Sequence, residues 1–276
     1  MENNTLYHYC SLETLIEILK SRTLQLSEIT KSNDREEIKL LLDKYISYVN
    51  TYAENTFAHI TASHITKNQI ENTIFLVICF SEKENSPYMW NSYAKGGVCI
   101  GFNTAKLMDW VKHIQVFQNK IIYNSNDNCP SALLGKVKYF DLNSIDTFIK
   151  EECKNDQLVT DSFPNIFEKA PFAKSSFWEN EAEWRISIPL IFNEYQNKNL
   201  SFPSEVKMDV QPNSSYPLRT SCFIHFCPDM INSITLAPDC KATIEEINRT
   251  LLVFGYDHLV QARSVKNSKE FFEKKE

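Results

Sequence analysis

With 276 residues, of which 43% are hydrophobic, the chain is long enough for one large domain with a sizeable core, and two separate domains are not required. Its formal net charge of -6 does not indicate a broad basic surface for nucleic acid. Its five glycines form neither a P-loop nor a G-x-G-x-x-G turn, which excludes the common nucleotide-binding folds.

Cysteine usage and hydropathy indicate where the protein resides. The eight cysteines are scattered singly without a C-x-x-C pair, which favours reduced thiols over a disulfide framework. The most apolar segment, Ile74 to Phe80, is far shorter than the roughly 20 residues that a bilayer span requires, and no charged and apolar N-terminal signal is present. We therefore expect a cytoplasmic protein without a membrane partner.

The first thirty residues predict a strand, a helix and a second strand. Residues 6–9 alternate in polarity, Ser11 precedes apolar residues at helical spacing, and residues 23–27 alternate again. His8 would lie on the opening strand. Apolar residues at helical spacing from Ile38 to Val49 then predict a long helix that continues to about Gln69. We treat residues from about 33 to 70 as a helical insertion.

The middle of the chain predicts a buried strand, an aromatic helix and another strand. Residues 75–80 form a continuous apolar run, and Gly96 with Gly97 turns the chain into an apolar strand at 98–102. A short helix between the strands would place Trp90 and Tyr93 three residues apart on one face, at the rim of a sheet. The alternative is that both rings simply cap the core.

The remaining elements complete a single domain over residues 1–276. They are a helix at 104–113, strands at 114–116, 121–123 and 137–139, a polar helical excursion at about 143–170, a polar insertion at about 191–217, strands at 222–227 and 231–236, a helix at about 243–254 and a strand at 259–265. This alternation predicts an α+β fold.

The segment from Ser176 to Pro189 has the highest density of chemically active side chains. It places three carboxylates, two tryptophans and one arginine directly before an apolar run at 186–190 that predicts a strand. Glu183 would lie at the mouth of that strand, and Glu181 would share its face if the backbone were extended. The alternative is that Glu179, Glu181 and Glu183 form a solvated edge and that the tryptophans belong to the core. Under either interpretation we assign Glu179 to the solvent.

Other polar residues near this segment or farther along the chain predict no separate site. Lys174 is either a cation in the cleft or an ordinary surface lysine, and the second is the default for lysine. Cys222, His225 and Cys227 would point to two faces of a strand, so we expect no metal.

Five short motifs, in this order, resemble a family of bacterial proteins catalogued as a domain of unknown function. They are Leu-Tyr-His-Tyr at 6–9, Cys-Phe-Ser-Glu at 79–82, Met-Trp-Asn-Ser-Tyr-Ala at 89–94, Gly-Val-Cys-Ile-Gly-Phe at 97–102 and Trp-Glu-Asn-Glu-Ala-Glu-Trp-Arg at 178–185. The resemblance extends over nearly the whole chain, but the family supplies no chemistry.

A second resemblance does imply chemistry. A His on the first strand, an aromatic element in mid-chain and a Glu at the mouth of a later strand are similar to the ADP-ribosyltransferase superfamily, which implies a split, mixed β-sheet flanked by helices. It also implies that His8 hydrogen-bonds the adenosine-side ribose of NAD, that Tyr93 or Trp90 stacks on nicotinamide, and that Glu183 binds the nicotinamide-ribose 2′-hydroxyl. Arg185 would contact an NAD phosphate or pair with a neighbouring glutamate.

The implied reaction explains these residue types. Breaking the bond from ribose to nicotinamide builds an oxocarbenium-like cation, which a fixed carboxylate stabilises, and an aromatic face holds the cationic pyridinium ring. Glu181 would receive a proton from the acceptor. We therefore expect an NAD-dependent ADP-ribosyltransferase or NAD glycohydrolase, by analogy a bacterial toxin or phage-defence effector, whose acceptor is a protein, a nucleic acid, a nucleotide or water.

Two other classes of function stay open. A non-catalytic nucleotide- or partner-binding protein would use Trp90, Tyr93 and Trp184 as a recognition surface. A nuclease or metal hydrolase built on the carboxylates ranks lower, because no suitable His and Asp spacing accompanies them. Within the segment from Ser176 to Pro189, Trp178 and Trp184 would pack against the strand predicted at 186–190 and stabilise it.

Overall fold

The computed structural model describes residues 4–31, 37–52, 73–117, 120–123, 132–153, 163–191, 206–210 and 218–269. The strands are β1 (Thr5–Cys10), β2 (Thr23–Glu28), β3 (Thr73–Ser81), β4 (Val98–Asn103), β5 (Ile114–Phe117), β6 (Lys120–Tyr123), β7 (Leu133–Lys136), β8 (Lys138–Phe140), β9 (Ala173–Ser175), β10 (Glu183–Ile191), β11 (Val206–Val210), β12 (Leu218–His225), β13 (Ile231–Leu236) and β14 (Val265–Asn267). The α-helices are α1 (Leu12–Ser21), α2 (Glu37–Tyr52), α3 (Pro87–Met89), α4 (Thr104–Lys112), α5 (Leu142–Glu152), α6 (Phe163–Lys169), α7 (Ile244–Phe254) and α8 (Asp257–Gln261).

A sheet of ten strands forms the centre of the fold. Its order is β11-β12-β2-β3-β1-β4-β13-β14, and β10 pairs with both β3 and β7. The β13–β14 pair is parallel, whereas the other pairs of this sheet are antiparallel. Two small sheets, β5-β6 and β8-β9, lie outside it. An α+β fold with a mixed sheet flanked by helices is therefore confirmed.

One edge of β3 pairs with a single strand, and its other edge is shared by two strands. β10 pairs with β3 over its whole length, from Glu183 opposite Ser81 to Ile191 opposite Thr73. On the other edge, β2 pairs with β3 at Leu76 and Val77, while β1 pairs with it at Ser81. The two strands that α1 connects therefore diverge along β3.

Strand alternation separates two cores, because successive side chains of a strand point to opposite faces. Leu76, Ile78 and Phe80 of β3 contribute to the larger core, together with buried residues of α1, α4, α7 and α8. Phe75 and Val77 contribute to a second core with residues of α2, α5 and α6. Helices therefore cover both faces, and the second face also carries Glu183 and Arg185.

Local sequence explains why the first helix begins and ends where it does. The Ser11 hydroxyl accepts a hydrogen bond from the Thr14 backbone N–H, which caps the first turn of α1. Leu15, Ile18 and Leu19 are buried at helical spacing, and Arg22 ends the helix in the left-handed conformation.

One element differs from the sequence-based expectation, and two others are described only in part. The strand expected at 259–265 is the helix α8 followed by β14, since a short apolar run does not distinguish the two structures. The expected polar excursion at 143–170 contains α5 and α6, whose apolar sides are buried in the second core. The expected helix to Gln69 is observed as α2, and residues 53–72 lie outside the described ranges.

Two further expectations concern the insertion and the membrane. Within the insertion expected at 191–217, the described strand β11 pairs with β12 and extends the central sheet, and the other residues from 192 to 217 lie outside the described ranges. None of the helices in the described part of the chain combines the length and apolar character needed to cross a bilayer.

Candidate active site

The candidate site is built where the chain enters β10. Residues Ser176–Glu181 form a 3₁₀ helix, Ala182 adopts a left-handed conformation with φ 45° and ψ 54°, and β10 begins at Glu183. The extended Glu-Ala-Glu segment expected from the sequence is therefore not observed. The left-handed turn at Ala182 instead brings Glu181 and Glu183 to the same lysine, Lys174.

Donor groups of residues 81–83, at the end of β3, bind the backbone carbonyl groups of this turn. The Ser81 hydroxyl donates to the Glu181 carbonyl at 2.6 Å, and the Glu82 N–H donates to the Ala182 carbonyl at 3.0 Å. The Lys83 ammonium donates to the Asn180 carbonyl at 2.7 Å. The backbone between the two carboxylates is thus fixed to a strand of the central sheet.

Four buried charged side chains, Lys174, Glu181, Glu183 and Arg185, form what we call the charge cluster. The Lys174 ammonium lies 2.6 Å from Glu181 Oε2 and 2.9 Å from Glu183 Oε2. Arg185 binds both oxygens of Glu183, with Nε at 2.7 Å and Nη2 at 3.0 Å. All four residues are buried, with exposed fractions between 0% and 5%. Their formal charges sum to zero, which makes this burial possible.

Two tyrosines complete the polar contacts of the cluster. The Tyr93 hydroxyl donates to Glu181 Oε1 at 2.5 Å, and the Glu183 N–H donates to the Tyr139 hydroxyl at 2.9 Å. Tyr93 lies in a π-helical turn, Trp90–Ala94, that follows α3, and the turn is closed by the bond from the Lys95 N–H to the Trp90 carbonyl at 3.1 Å. Turns of this type are frequent at functional sites.

The cluster reaches the surface at two side chains. Tyr93 is 39% exposed although its hydroxyl contacts buried Glu181. Cys79 is exposed, and its thiol donates a hydrogen bond to the Glu183 carboxylate. Tyr93 therefore connects Glu181 with the surface, and Cys79 connects Glu183 with it.

The two carboxylates differ in their protonation behaviour. Burial alone would raise the pKa of Glu183, but the charge and hydrogen bonds of Arg185, with the charge of Lys174, outweigh it and lower this pKa to about 2. Burial raises the pKa of Glu181, although the charge and hydrogen bond of Lys174 oppose the rise. Burial and the Glu181 carboxylate also raise the pKa of Tyr93, whose hydroxyl therefore stays protonated. Glu183 therefore stays ionised near neutral pH, whereas Glu181 is the carboxylate that more readily takes up a proton.

The structure brings together four of the residues that the sequence singled out: Tyr93, Glu181, Glu183 and Arg185. Arg185 is fully buried and binds Glu183 and the Pro171 carbonyl, the latter at 2.7 Å. Of the two alternatives considered for Arg185, this geometry favours pairing with a neighbouring glutamate over contact with a phosphate.

Trp90 lies apart from the cluster. It is 5% exposed, its ring nitrogen donates to the Asn85 side chain at 2.6 Å, and its ring packs edge-on against Tyr9 at 4.8 Å. The π-helical turn holds more residues than an α-helical turn, so Trp90 and Tyr93 do not share one face. Of the two aromatic candidates, Tyr93 is the one that reaches the carboxylates.

His8 also lies apart from the cluster. Tyr7, Ser81 and Glu183 are register partners on neighbouring strands, so their side chains share a face, and His8 follows Tyr7 on the opposite face. His8 Nδ1 lies 2.9 Å from the Cys79 carbonyl, and the ring packs against Phe80. Burial lowers the pKa of the imidazole. The structure does not bring His8 into one pocket with Tyr93 and Glu183.

Three residues of the site were not selected from the sequence: Lys174, Tyr139 and Cys79. β8 and β9 pair in parallel with Tyr139 opposite Lys174, a register that sequence spacing does not encode. Tyr139 also lines an open cleft of about 440 Å³ between β8 and α5. For Lys174, the nearby glutamates were a signal, but the default assignment to the surface is wrong because the residue is only 5% exposed.

The aromatic residues of the segment from Ser176 to Pro189 make separate contacts. Trp184 donates through its ring nitrogen to Glu82 at 2.8 Å and packs against the larger core. The Trp178 ring lies 5.2 Å from the Lys174 ammonium, and Phe177, which packs against Trp178, is 79% exposed. In the described part of the chain, no three His, Cys, Asp or Glu side chains are grouped so that they could hold a metal ion.

Residues 89–186 match the model of a family described as "Protein of unknown function (DUF2971)". The matched segment contains three of the five motifs, those that begin at Met89, Gly97 and Trp178, and confirms the resemblance to an uncharacterised family over this part of the chain. It also contains Tyr93, Tyr139 and the whole charge cluster. No curated protein and no solved structure gives a significant match.

Proposed function

We propose that this protein is an NAD-dependent ADP-ribosyltransferase or NAD glycohydrolase that cleaves the nicotinamide–ribose bond at the charge cluster. The observation that carries the proposal is the pair of adjacent buried carboxylates that share the Lys174 ammonium but differ in their other partners, Tyr93 for Glu181 and Arg185 for Glu183. These surroundings shift the two pKa values in opposite directions. Such a separation is typical of sites in which one carboxylate supplies charge and the other handles a proton.

Glu183 would stabilise the positive charge that develops on the ribose. Arg185 and Lys174 fix its carboxylate in one orientation, so no reorganisation is needed during the reaction. Its weakest hydrogen-bond donor is the Cys79 thiol, on the exposed side. In the proposed complex a ribose hydroxyl would take the place of this thiol and the ion pairs would stay intact, so that the reacting carbon would lie beside the anion.

Glu181 would accept the proton of the incoming nucleophile. It is anchored by Lys174 on one oxygen and by Tyr93 on the other, and burial raises its pKa towards the range in which a carboxylate works as a base. The exposed Tyr93 ring lies next to it and offers an aromatic face to the cationic nicotinamide ring.

The test is nicotinamide release from NAD by the purified protein, alone and with cell extract. Glu183→Gln should lower the rate by about 100-fold or more, because the neutral amide no longer offsets the developing cation. Glu179→Gln is the matched control, since Glu179 is an exposed carboxylate of the same segment, and its rate should equal that of the wild type.

Two outcomes would contradict this assignment. Absence of release by the wild-type protein, with and without extract, rules out the enzyme. Full release by Glu183→Gln, in a variant whose circular dichroism spectrum shows it to be folded, moves the catalytic role away from Glu183.

A non-catalytic nucleotide- or partner-binding protein is the second candidate. It is favoured by three exposed aromatic side chains near the cluster, Tyr88, Tyr93 and Phe177, which are from 37% to 79% exposed. Exposed aromatic rings of this kind are frequent at recognition surfaces. This candidate predicts NAD binding by calorimetry without any release of nicotinamide.

A further inference from the structure

Lys174 occupies an unusual position for a lysine. It lies in the three-residue strand β9, is only 5% exposed, and packs its ammonium 5.2 Å from the centre of the Trp178 ring. Lysines are rarely buried to this extent unless they are paired, because removing the ammonium from water costs several kcal/mol. The two carboxylate contacts of Lys174 provide this pairing.

The two cations of the cluster contact different numbers of carboxylates. Arg185 grips Glu183 through two nitrogens, whereas the Lys174 ammonium contacts both Glu181 and Glu183. Replacing Lys174 by a neutral side chain would leave one excess negative charge among the four buried groups. Because Arg185 still holds Glu183 as an anion, the compensating proton would go to Glu181.

From this geometry we infer that Lys174 is a positioning residue that holds the Glu181 carboxylate ionised and directs it, together with Glu183, towards one point of the site. The inference rests on the proposed function only for its catalytic consequence. The ionisation of Glu181 is a property of the folded protein that can be measured without any substrate.

Several other titratable or charged groups face Lys174 and Glu181. They are Tyr88 and Tyr93 from the helical segment 87–94, Tyr139 from β8, Glu183 and Arg185 from β10, and Cys79 from β3 through its bond to Glu183. Burial raises the pKa of all three tyrosines, so their hydroxyls stay protonated near neutral pH. Glu181 is therefore the carboxylate whose protonation should respond to loss of the lysine charge.

The first test is a titration of the Glu181 carboxyl carbon by NMR in protein labelled with ¹³C-glutamate, with the resonance assigned by its loss in Glu181→Gln. In Lys174→Met the apparent pKa of Glu181 should rise by about one unit or more above the wild-type value, while Lys174→Arg should keep it within about half a unit. Should Lys174→Met not fold, Lys174→Gln removes the charge while keeping a hydrogen-bond donor. An unchanged titration in the neutral variant overturns the inference.

The second test is the pH profile of nicotinamide release. In Lys174→Met the acidic limb of kcat/KM should move to higher pH by the shift seen in the titration, about one unit or more, because Glu181 must lose its proton to act as a base. The value of kcat/KM should therefore fall about 10-fold at pH values on the acidic limb and recover as the pH rises. Lys174→Arg should restore the wild-type profile. An equal loss at every pH would indicate a merely structural role and overturn the inference. If the wild type releases no nicotinamide, the proposed function fails, and the NMR titration alone decides the role of Lys174.

Discussion

Ala182 is the single residue on which the geometry of the site depends most. Its positive φ of 45° is unusual for a residue with a Cβ atom, and it lies directly between the two carboxylates of the charge cluster. An extended residue at this position would continue β10 towards Glu181. The left-handed conformation instead ends the 3₁₀ helix and allows both carboxylates to reach Lys174.

Replacing Ala182 by glycine should leave stability unchanged or raise it slightly, since glycine adopts positive φ without a Cβ clash. Valine at the same position should cost about 1–2 kcal/mol or more, because a β-branched side chain is strained there. Urea unfolding curves measure both effects. Ala173→Gly is the matched control, since Ala173 is extended with φ -103° and should lose about 1 kcal/mol. Equal losses in both glycine variants would show that the backbone of Ala182 is not strained.

At the scale of single residues, the sequence identified Glu181 and Glu183 because both lie in one dense local segment. It could not identify Tyr139, because the parallel register that sets Tyr139 opposite Lys174 depends on packing between segments more than thirty positions apart. The position of His8 was likewise undetermined, since strand alternation gives two faces without saying which one carries the site.

At the scale of elements, the junction between the π-helical turn and β4 is unusually tight. A Cβ atom on Gly97 would lie 2.2 Å from the Cys10 carbonyl oxygen and 2.7 Å from the Ser11 Cα atom. Both are backbone atoms at the end of β1, so they cannot move aside as a flexible side chain would. The close approach fixes the helical segment that carries Tyr93 against the central sheet.

Gly97→Ala should therefore destabilise the protein by about 3 kcal/mol or more, because the backbone of either β1 or the turn has to shift. Gly96→Ala is its neighbour control. Gly96 has a positive φ of 76°, but a Cβ atom at this position would approach the Asp239 side chain most closely, at 3.3 Å, so the cost should be about 1 kcal/mol. Chemical denaturation of both variants gives the comparison, and equal costs would contradict the close-approach argument.

Hydrophobic periodicity predicted the elements whose pattern is local. The spacing of apolar residues in α1 and α7 and the alternation in β1 and β2 match the observed structures. The π-helical turn could not be predicted, because one extra residue per turn leaves no signature in composition. Residues 259–265 were expected to form a strand because a short apolar run fits a strand or a helix equally well. The choice of a helix depends on the packing of Leu259 in the larger core, which the local sequence does not show.

At the scale of the whole molecule, the charge cluster ties the second face of the sheet to the segments that pack on it. Arg185 and Glu183 come from β10, Lys174 from β9, and the Pro171 carbonyl from the 3₁₀ turn before β9. Removing one partner from a buried ion pair leaves an uncompensated charge and is strongly destabilising. The state of the cluster is therefore coupled to the unfolding of the domain.

This coupling predicts a specific dependence of stability on pH. The folded-state pKa of Glu183 is about 2, below its ordinary value of 4.5, so its contribution is present above pH 4.5 and is lost as the pH falls towards 2. The raised pKa of Glu181 acts in the opposite direction, since its ionisation costs stability as the pH rises through that value. The free energy of unfolding should therefore fall steeply between about pH 4.5 and 2.

Urea unfolding at a series of pH values measures this dependence. Glu183→Gln should be less stable than the wild type at pH 6, and its unfolding free energy should fall less between pH 4.5 and 2. Glu179→Gln should reproduce the wild-type curve, because Glu179 is exposed. A Glu183→Gln curve parallel to that of the wild type would show that another group accounts for the acid sensitivity.

The pairing of β3 with β10 has a consequence for synthesis of the chain. β3 is an apolar strand of nine residues that leaves the ribosome about 100 residues before its full-length partner. During that interval β1 and β2 can pair with parts of one edge, while the edge that β10 will later cover has no partner. An unpaired apolar edge is a template for association with other chains. Pairing with β10 removes this exposed edge, and the same event brings Glu183 and Arg185 into the sheet.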